Sequence, residues 1–190
     1  MRFGLLRRRP GMSSREFSSH WANVHGPLVS GLPGFRRWTA AYSQNHPDAD
    51  AALDGISVTV QTPREDYLGE SFFREPDYRY ARADERTFLD MATSSFILAV
   101  RRLVRHEPPD AAKLIVIASR TLPVLDNTAG LRLSTPIASL PGPQIAEAWY
   151  PSTTERARDA ARLRRADPDA TILPAREFVF FTATDGALDD

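Results

Sequence analysis

The chain lacks cysteine altogether, holds one lysine, and has no apolar run long enough to cross a bilayer as a helix. Each absence removes a class of function. Without cysteine there are no disulfides, thiolate metal ligands or cysteine nucleophiles, and the composition fits a reducing compartment. Lys113 stands alone among 24 basic residues, so Schiff-base chemistry has almost no candidate. Excess charge is missing too: 24 basic residues face 24 acidic ones, which leaves no overall field to attract a polyanion. The one compact basic run, Arg7 to Arg9, reads as a solvated strand end before a turn rather than a nucleic-acid contact. The opening MRFGLLRRRP has no apolar stretch ending in a small-residue cleavage site. A soluble cytoplasmic protein without nucleic-acid or membrane partners is expected.

What is there is a chain of 190 residues, 42% hydrophobic, enough for one large domain or two small ones. Residues 2 to 9 predict a strand ended by Pro10-Gly11. Ser13 with Glu16 forms a capping box, and Phe17, Trp21, Val24 and Leu28 then fall within about 60° of one another on a helical wheel. Gly26 and Pro27 are expected to stop that helix. FRRWTAAYSQNH, residues 35 to 46, predicts a strand whose even positions Trp38, Tyr42 and His46 share one face. A turn-rich stretch leads to the strand ISVTVQT, a polar and aromatic segment with helical pieces at 64 to 90, and the strand SSFILAVRRLV.

Strand, helix, strand, strand, helix, strand is the ferredoxin-like order. A near repeat follows: KLIVIASRTL, LRLSTPIASL and PQIAEAWY as strands, TTERARDAARLRRA as a helix opened by Ser152 and Glu155, and REFVFFTAT as a last strand. The connection PVLDNTAG is too short for a helix of ordinary length, so the second copy is stripped down. FILAV at 96 to 100, LIVIA at 114 to 118 and FVFF at 178 to 181 are apolar on both faces, which calls for cover on both. The expected fold class is α+β: tandem ferredoxin-like repeats whose antiparallel sheets pack into an intrachain α+β barrel of about eight strands, helices outside. HEPPDAA at 106 to 112 marks the boundary, dividing residues 1–107, which hold the candidate site, from 108–190. Internal pairing removes the usual reason to dimerise, while edge strands leave a homodimer open.

HWANVHGPL, residues 20 to 28, concentrates the candidate chemistry. His25 is expected at a helix C-terminus, where the macrodipole favours imidazolium and burial opposes it, a balance that suits a general acid or base. The bland alternative is a bond to a free helix-end carbonyl. His20 points about 140° away from His25 on an ideal helix, so the two should not share a metal. With no cysteine and no histidine after His106, no metal site is expected, and His20 reads as a flank of the buried stripe or a pocket wall. Trp21, Trp38 and Tyr42 are either core or the lining of a helix–sheet cleft that would hold a planar ligand. His46, at the end of the same strand face, could reach the mouth of that cleft, but its context Asn-His-Pro-Asp favours exposure. Asp84 reads first as the cap of a helix it opens, with orientation of His25 as the alternative. Asp90, Glu85, Arg86, Arg101 and Arg102 read as surface or ion-pair groups.

RRPGMSSREFSSHWANVHGPLVSGLPGFRRW, LDGISVTVQT and ADERTFLD, in that order between about residue 4 and about residue 94, resemble the EthD domain of the dimeric α+β barrel superfamily. The resemblance implies a cofactor-free protein with a pocket for small hydrophobic, oxygenated molecules, and it places His25 and Asp84 inside family motifs. Residues after 107 carry none of these motifs. The implied function is proton transfer of dehydratase, isomerase or cyclase type on a polyketide, aromatic or lactone. His25 and Asp84 would be catalytic, and His20, Trp21, Trp38 and Tyr42 would bind substrate. A non-catalytic binding or accessory protein, a cofactor-free monooxygenase whose substrate itself reacts with oxygen, and a purely structural module compete with it.

Overall fold

Ser13 opens the first helix as its spacing predicts. Its hydroxyl accepts from the Glu16 N–H at 3.2 Å, and the Glu16 carboxylate accepts from the Ser13 N–H at 2.8 Å. The computed structural model describes residues 1–48, 51–63, 70–106, 108, 110–125, 128–137, 140 and 142–182. Its elements are β1 (Arg2–Leu6), α1 (Ser14–His20), a π turn (Trp21–His25), α2 (Gly26–Gly31), α3 (Pro33–Trp38), β2 (Thr39–Pro47), β3 (Gly55–Gln61), a 3-10 turn (Ser71–Arg74) and α4 (Tyr78–Phe88). Then follow β4 (Ser95–Arg105), β5 (Ala112–Ala118), β6 (Gly130–Pro136), β7 (Gln144–Tyr150), α5 (Thr153–Ala166) and β8 (Thr171–Phe181). In hydrogen-bond order the strands run β1-β3-β2-β8-β5-β7-β6-β4 and close as an antiparallel barrel.

Two compact units divide the chain. The first takes the described residues of Met1–His46 and Leu53–Leu98 and those from Glu177 on; the second takes those of Pro47–Ala52 and Ala99–Arg176. In the first, the ladder runs β4-β1-β3-β2, with Phe3 opposite both Val58 and Ile97. In the second it runs β8-β5-β7-β6, with Leu114 opposite both Ala148 and Pro174. The second unit's core gathers Leu114, Val116, Ala146, Ala148 and Leu163, the last from α5. α5 spans the residues its pattern predicts, opened by the Ser152 hydroxyl accepting from the Glu155 N–H at 3.2 Å.

The helix does not stop at Gly26-Pro27. Between α1 and α2 its ladder slips by one residue, so that the Gly26 N–H donates to the Trp21 carbonyl five residues back. Pro27 has no N–H to donate, and its ring crowds the carbonyl four residues earlier, which disfavours a regular α ladder at this point. Gly26 serves packing instead of termination, because a Cβ there would strike the Phe180 ring.

Residues 35 to 38 are helix, not strand. Pro33 starts α3 in its first turn, and the Asp77 carboxylate accepts from the Gly34 N–H at 2.8 Å. Trp38 therefore leaves the β2 face, which Tyr42, Gln44 and His46 share. Of the three strands expected to be covered on both faces, only β5 is: Leu114 through Ala118 are buried, whereas Phe96, Val100 and Val179 are exposed. In β4 and β8 the ordinary alternation of the pleat turns these apolar side chains to solvent.

Residues 64–69 of the aromatic segment, Glu107 and Pro109 of the expected boundary, 126–127 of PVLDNTAG, 138–139 of LRLSTPIASL and 183–184 of REFVFFTAT lie outside the described residues. No helix among the described residues is long and apolar enough to cross a membrane.

Candidate functional site

A straight α-helix would bury Phe17, Trp21, Val24 and Leu28. The slip moves the later pair on by one residue: Phe17, Trp21, His25 and Val29 are buried, and Val24 is 48% exposed. His25 thus takes the inward position that an uninterrupted wheel gives to Val24. It lies in the middle of a continuous helical stretch from 14 to 31, so the expected helix-end dipole does not act on it.

The same slip brings the two histidines together. Each residue of a π turn advances by less than the 100° of an α-helix, so a separation of five approaches one full turn instead of diverging by about 140°. His25 Nδ1 lies 2.8 Å from Asp84 Oδ2, and His20 Nε2 lies 2.9 Å from Asp84 Oδ1. Asp84 sits inside α4 and caps nothing; it takes the alternative role of bonding His25. Partial burial works against its carboxylate, but the bonds from His25 and His20 outweigh that and hold its pKa below the ordinary value. A carboxylate only accepts, so the neutral His25 ring carries its proton on Nδ1 and keeps its lone pair on Nε2. The Phe88 ring backs both imidazoles, at 4.9 Å from His20 and 5.0 Å from His25.

The first unit encloses a cavity of about 300 Å³ whose wall includes Trp21, His25, Trp38, Tyr42 and Glu85. That is the lower end of the range for small-molecule sites. His20 and Asp84 do not line it. Trp38 is held by its indole N–H, which donates to Glu75 Oε1 at 2.7 Å, the oxygen that also pairs with Arg37. Glu85, read from sequence as a surface group, falls with Ala81 and Phe88 at i, i+4, i+7 on the inward stripe of α4. An acid on an apolar stripe was the available signal. Burial pushes its carboxyl up, against the opposing influence of His25, Arg82 and a hydrogen bond with Tyr78. Among the described residues, no three His, Asp or Glu side chains converge as a metal-ligand set.

The inward face of β2 carries a second polar group, centred on Gln44, which sequence reading passed over. His46 is buried, against its turn-like context, with its ring 4.5 Å from Trp21 and 4.6 Å from Phe178. Gln44 is fully buried; its amide nitrogen donates to the Trp21 carbonyl at 2.9 Å and to the Tyr42 hydroxyl at 2.8 Å. Its Oε1 lies 3.0 Å from His46 Nε2, and His46 Nδ1 lies 2.7 Å from the Ser18 hydroxyl. A buried Gln between two rings on one strand face is the sequence mark of such a network. The Tyr42 ring stacks on Phe180 at 5.2 Å and meets the edge of Phe35 at 5.3 Å. Gly55 makes room on β3 for the Trp21 indole, which a Cβ there would strike.

The family model of the EthD domain matches residues 9–70. Over those residues the chain is similar to the EthD domain. The match takes in the capping box, both histidines, the π turn, and β2 and β3. Asp84 and the rest of ADERTFLD lie beyond it. No curated protein matches the chain in sequence. Two solved structures share its fold, each of a putative monooxygenase. The one from Lactobacillus acidophilus NCFM aligns with a TM-score of 0.53 at 9% identity, over 94% of this chain and 93% of that one. The one from Fusobacterium nucleatum subsp. nucleatum aligns with a TM-score of 0.52 at 11% identity, over 100% of this chain and 95% of that one. The likeness is one of fold, an α+β barrel.

Proposed function

We propose that this chain is a cofactor-independent proton-transfer enzyme, of dehydratase, isomerase or cyclase type, acting on a small hydrophobic oxygenated compound. One observation carries the reading. His25 is a buried imidazole on the wall of a cavity, with Nδ1 tied to Asp84 at 2.8 Å and Nε2 left as the basic nitrogen. In this scheme Nε2 takes a proton from the bound compound, and the imidazolium is stabilised by Asp84. Return of the proton to another carbon gives an isomer; attack of the resulting carbanion on a second carbonyl of the compound, whose oxygen then takes the proton, gives a cyclised product; delivery of the proton to a departing hydroxyl releases water. Asp84 fixes the tautomer, and His20 steadies the other carboxylate oxygen. Trp21, Trp38 and Tyr42 supply the surface for a planar ligand.

The same reading treats the two halves as tandem ferredoxin-like repeats, 1–107 with the site and 108–190 without it. The ladder orders β4-β1-β3-β2 and β8-β5-β7-β6 support it, since each sets the fourth strand beside the first and the third beside the second.

Turnover of lactone and polyketide-like substrates by wild type and His25→Ala tests the assignment. A loss of about 10²–10⁴-fold is expected, and equal rates would remove His25 from the mechanism. The fold shared with two putative monooxygenases favours a second reading, a cofactor-free monooxygenase whose substrate itself reduces oxygen. Oxygen uptake that tracks turnover would select it.

A further inference from the structure

We propose that Tyr42 is a fixed hydrogen-bond donor on the cavity wall, and that the ligand it selects carries a carbonyl oxygen. This deepens the proton-transfer reading and rests on its placing of the ligand in the cavity.

The argument starts from a group whose orientation is unambiguous. The Trp21 carbonyl can only accept, so the nitrogen end of the Gln44 amide must face it, at 2.9 Å. The second amide hydrogen then points at the Tyr42 oxygen, 2.8 Å away, and the amide oxygen receives His46 Nε2–H at 3.0 Å. Gln44 is held at both ends and fully buried, so it cannot turn its carbonyl toward the phenol. With the Gln44 donor directed at its oxygen, Tyr42 has its own hydrogen to offer, and among the described residues nothing accepts it. A buried donor without an acceptor is unfavourable, and a ligand oxygen in the cavity relieves it.

Two further features make the donor permanent. Phe180 and Phe35 clamp the ring, which leaves little freedom to swing the hydroxyl away. Burial also raises the phenol pKa well beyond its usual value, in spite of the bond from Gln44, so it stays neutral and keeps its hydrogen.

The cavity wall therefore offers a donor at Tyr42 and a base at His25. That pair complements an enolisable ketone or lactone. His25 Nε2 takes the proton from the carbon next to the carbonyl, the electron pair of that C–H bond passes to the carbonyl oxygen, and Tyr42 stabilises the resulting enolate. Return of the proton to a different carbon completes an isomerisation and restores the neutral imidazole.

The test uses the full chain with 1-tetralone and its carbonyl-free counterpart tetralin. Wild type is expected to bind the ketone about tenfold more tightly and to lower its carbonyl stretching frequency relative to hexane solution. In Tyr42→Phe both differences should vanish. Equal binding by wild type, or a lowered frequency that persists in Tyr42→Phe, overturns the donor assignment. If Tyr42→Phe does not fold, the wild-type pair of affinities and the wild-type frequency decide alone. His25→Ala separates the two readings: it should keep the lowered frequency while losing turnover. Unchanged turnover with a lowered frequency sinks the role of His25 and leaves Tyr42, whereas lost turnover without a lowered frequency does the reverse. Failure of both probes to bind wild type overturns the carbonyl site and the cavity reading together.

Discussion

Asp84 in the first unit and Glu147 in the second each sit between two basic side chains. Asp84 meets His20 and His25 at 2.9 and 2.8 Å, and its side chain is 14% exposed. Glu147 meets Lys113 at 2.9 Å and Arg101 at 2.5 Å, with its own side chain 1% exposed. Lys113, the lone lysine, is equally buried and lies over the Trp149 ring at 4.7 Å. Burial raises the Glu147 carboxyl, yet Lys113 and Arg101 more than offset it and leave the pKa at about 2. The difference lies in the bases. Arginine and a paired lysine stay charged across the physiological range, so the Glu147 cluster can only hold itself together. Imidazoles exchange protons near neutrality, so a carboxylate between two of them can stabilise a ring that gains or loses one. A sealed ion cluster and a histidine–carboxylate group beside a cavity look alike on paper but differ in what they can do.

The largest effect expected from breaking this comparison is on stability. Glu147→Gln leaves the charges of Lys113 and Arg101 buried without a counterion and should cost ~3–5 kcal/mol in denaturant unfolding. Because the folded pKa of Glu147 lies below its ordinary 4.5, its contribution is complete above that value and is lost as pH falls toward about 2. Wild type should therefore lose stability across that window, and the variant should show a flatter profile. If the variant melts like wild type, the cluster is not holding the second unit.

Asp84→Asn comes next and acts mainly on rate. It keeps the shape but removes the charge that fixes the His25 tautomer, so turnover should fall on the order of 10²-fold, with ~1–3 kcal/mol of stability lost. Asp84 also has a depressed pKa, so its stabilising share is present above the ordinary carboxylate value and disappears as pH falls through the folded one. Asparagine should erase that acid-side loss in pH-dependent melts. A rate unchanged by the amide would make Asp84 a structural partner like Glu147.

The smallest expected effect is a matched pair. Ser13→Ala and Ser152→Ala each remove one helix cap, one in each unit, and each should cost ~1 kcal/mol in thermal melts. Only Ser13 heads the helix that carries His25, so only Ser13→Ala should also lower turnover. A rate loss in Ser152→Ala would break the separation between the units.

Much of the fold was legible because it is written in local patterns. Ser13-Glu16 and Ser152-Glu155 mark helix starts, α5 follows its periodicity to the residue, and the strands of both halves appear where apolar runs meet turns. The site was half legible. His25 stands inside the stretch that matches the EthD domain and Asp84 beyond it, and nothing local links them, since a helical wheel assumes 100° per residue and so sends His20 and His25 apart. Pro27 did signal a break in the ladder, and the break proved to be a slip instead of a stop. Glu85 and Gln44 were missed because each is polar among apolar neighbours, and their burial depends on partners far away in sequence.

The π turn makes part of this site a matter of counting. Its one extra residue sets His25 against Asp84 and orders the face around Trp21, whose carbonyl meets Gln44. Substitutions within residues 21 to 25 alter side chains but preserve that number. Removing one residue restores the α ladder and rotates the flanking helix by about 100°, which uncouples His25 from Asp84 and disturbs the anchor of Gln44 together. The placement of His25 against Asp84 therefore tolerates changes in spelling at the exposed Asn23 and Val24 but not a shift in frame, a constraint that no single side chain carries.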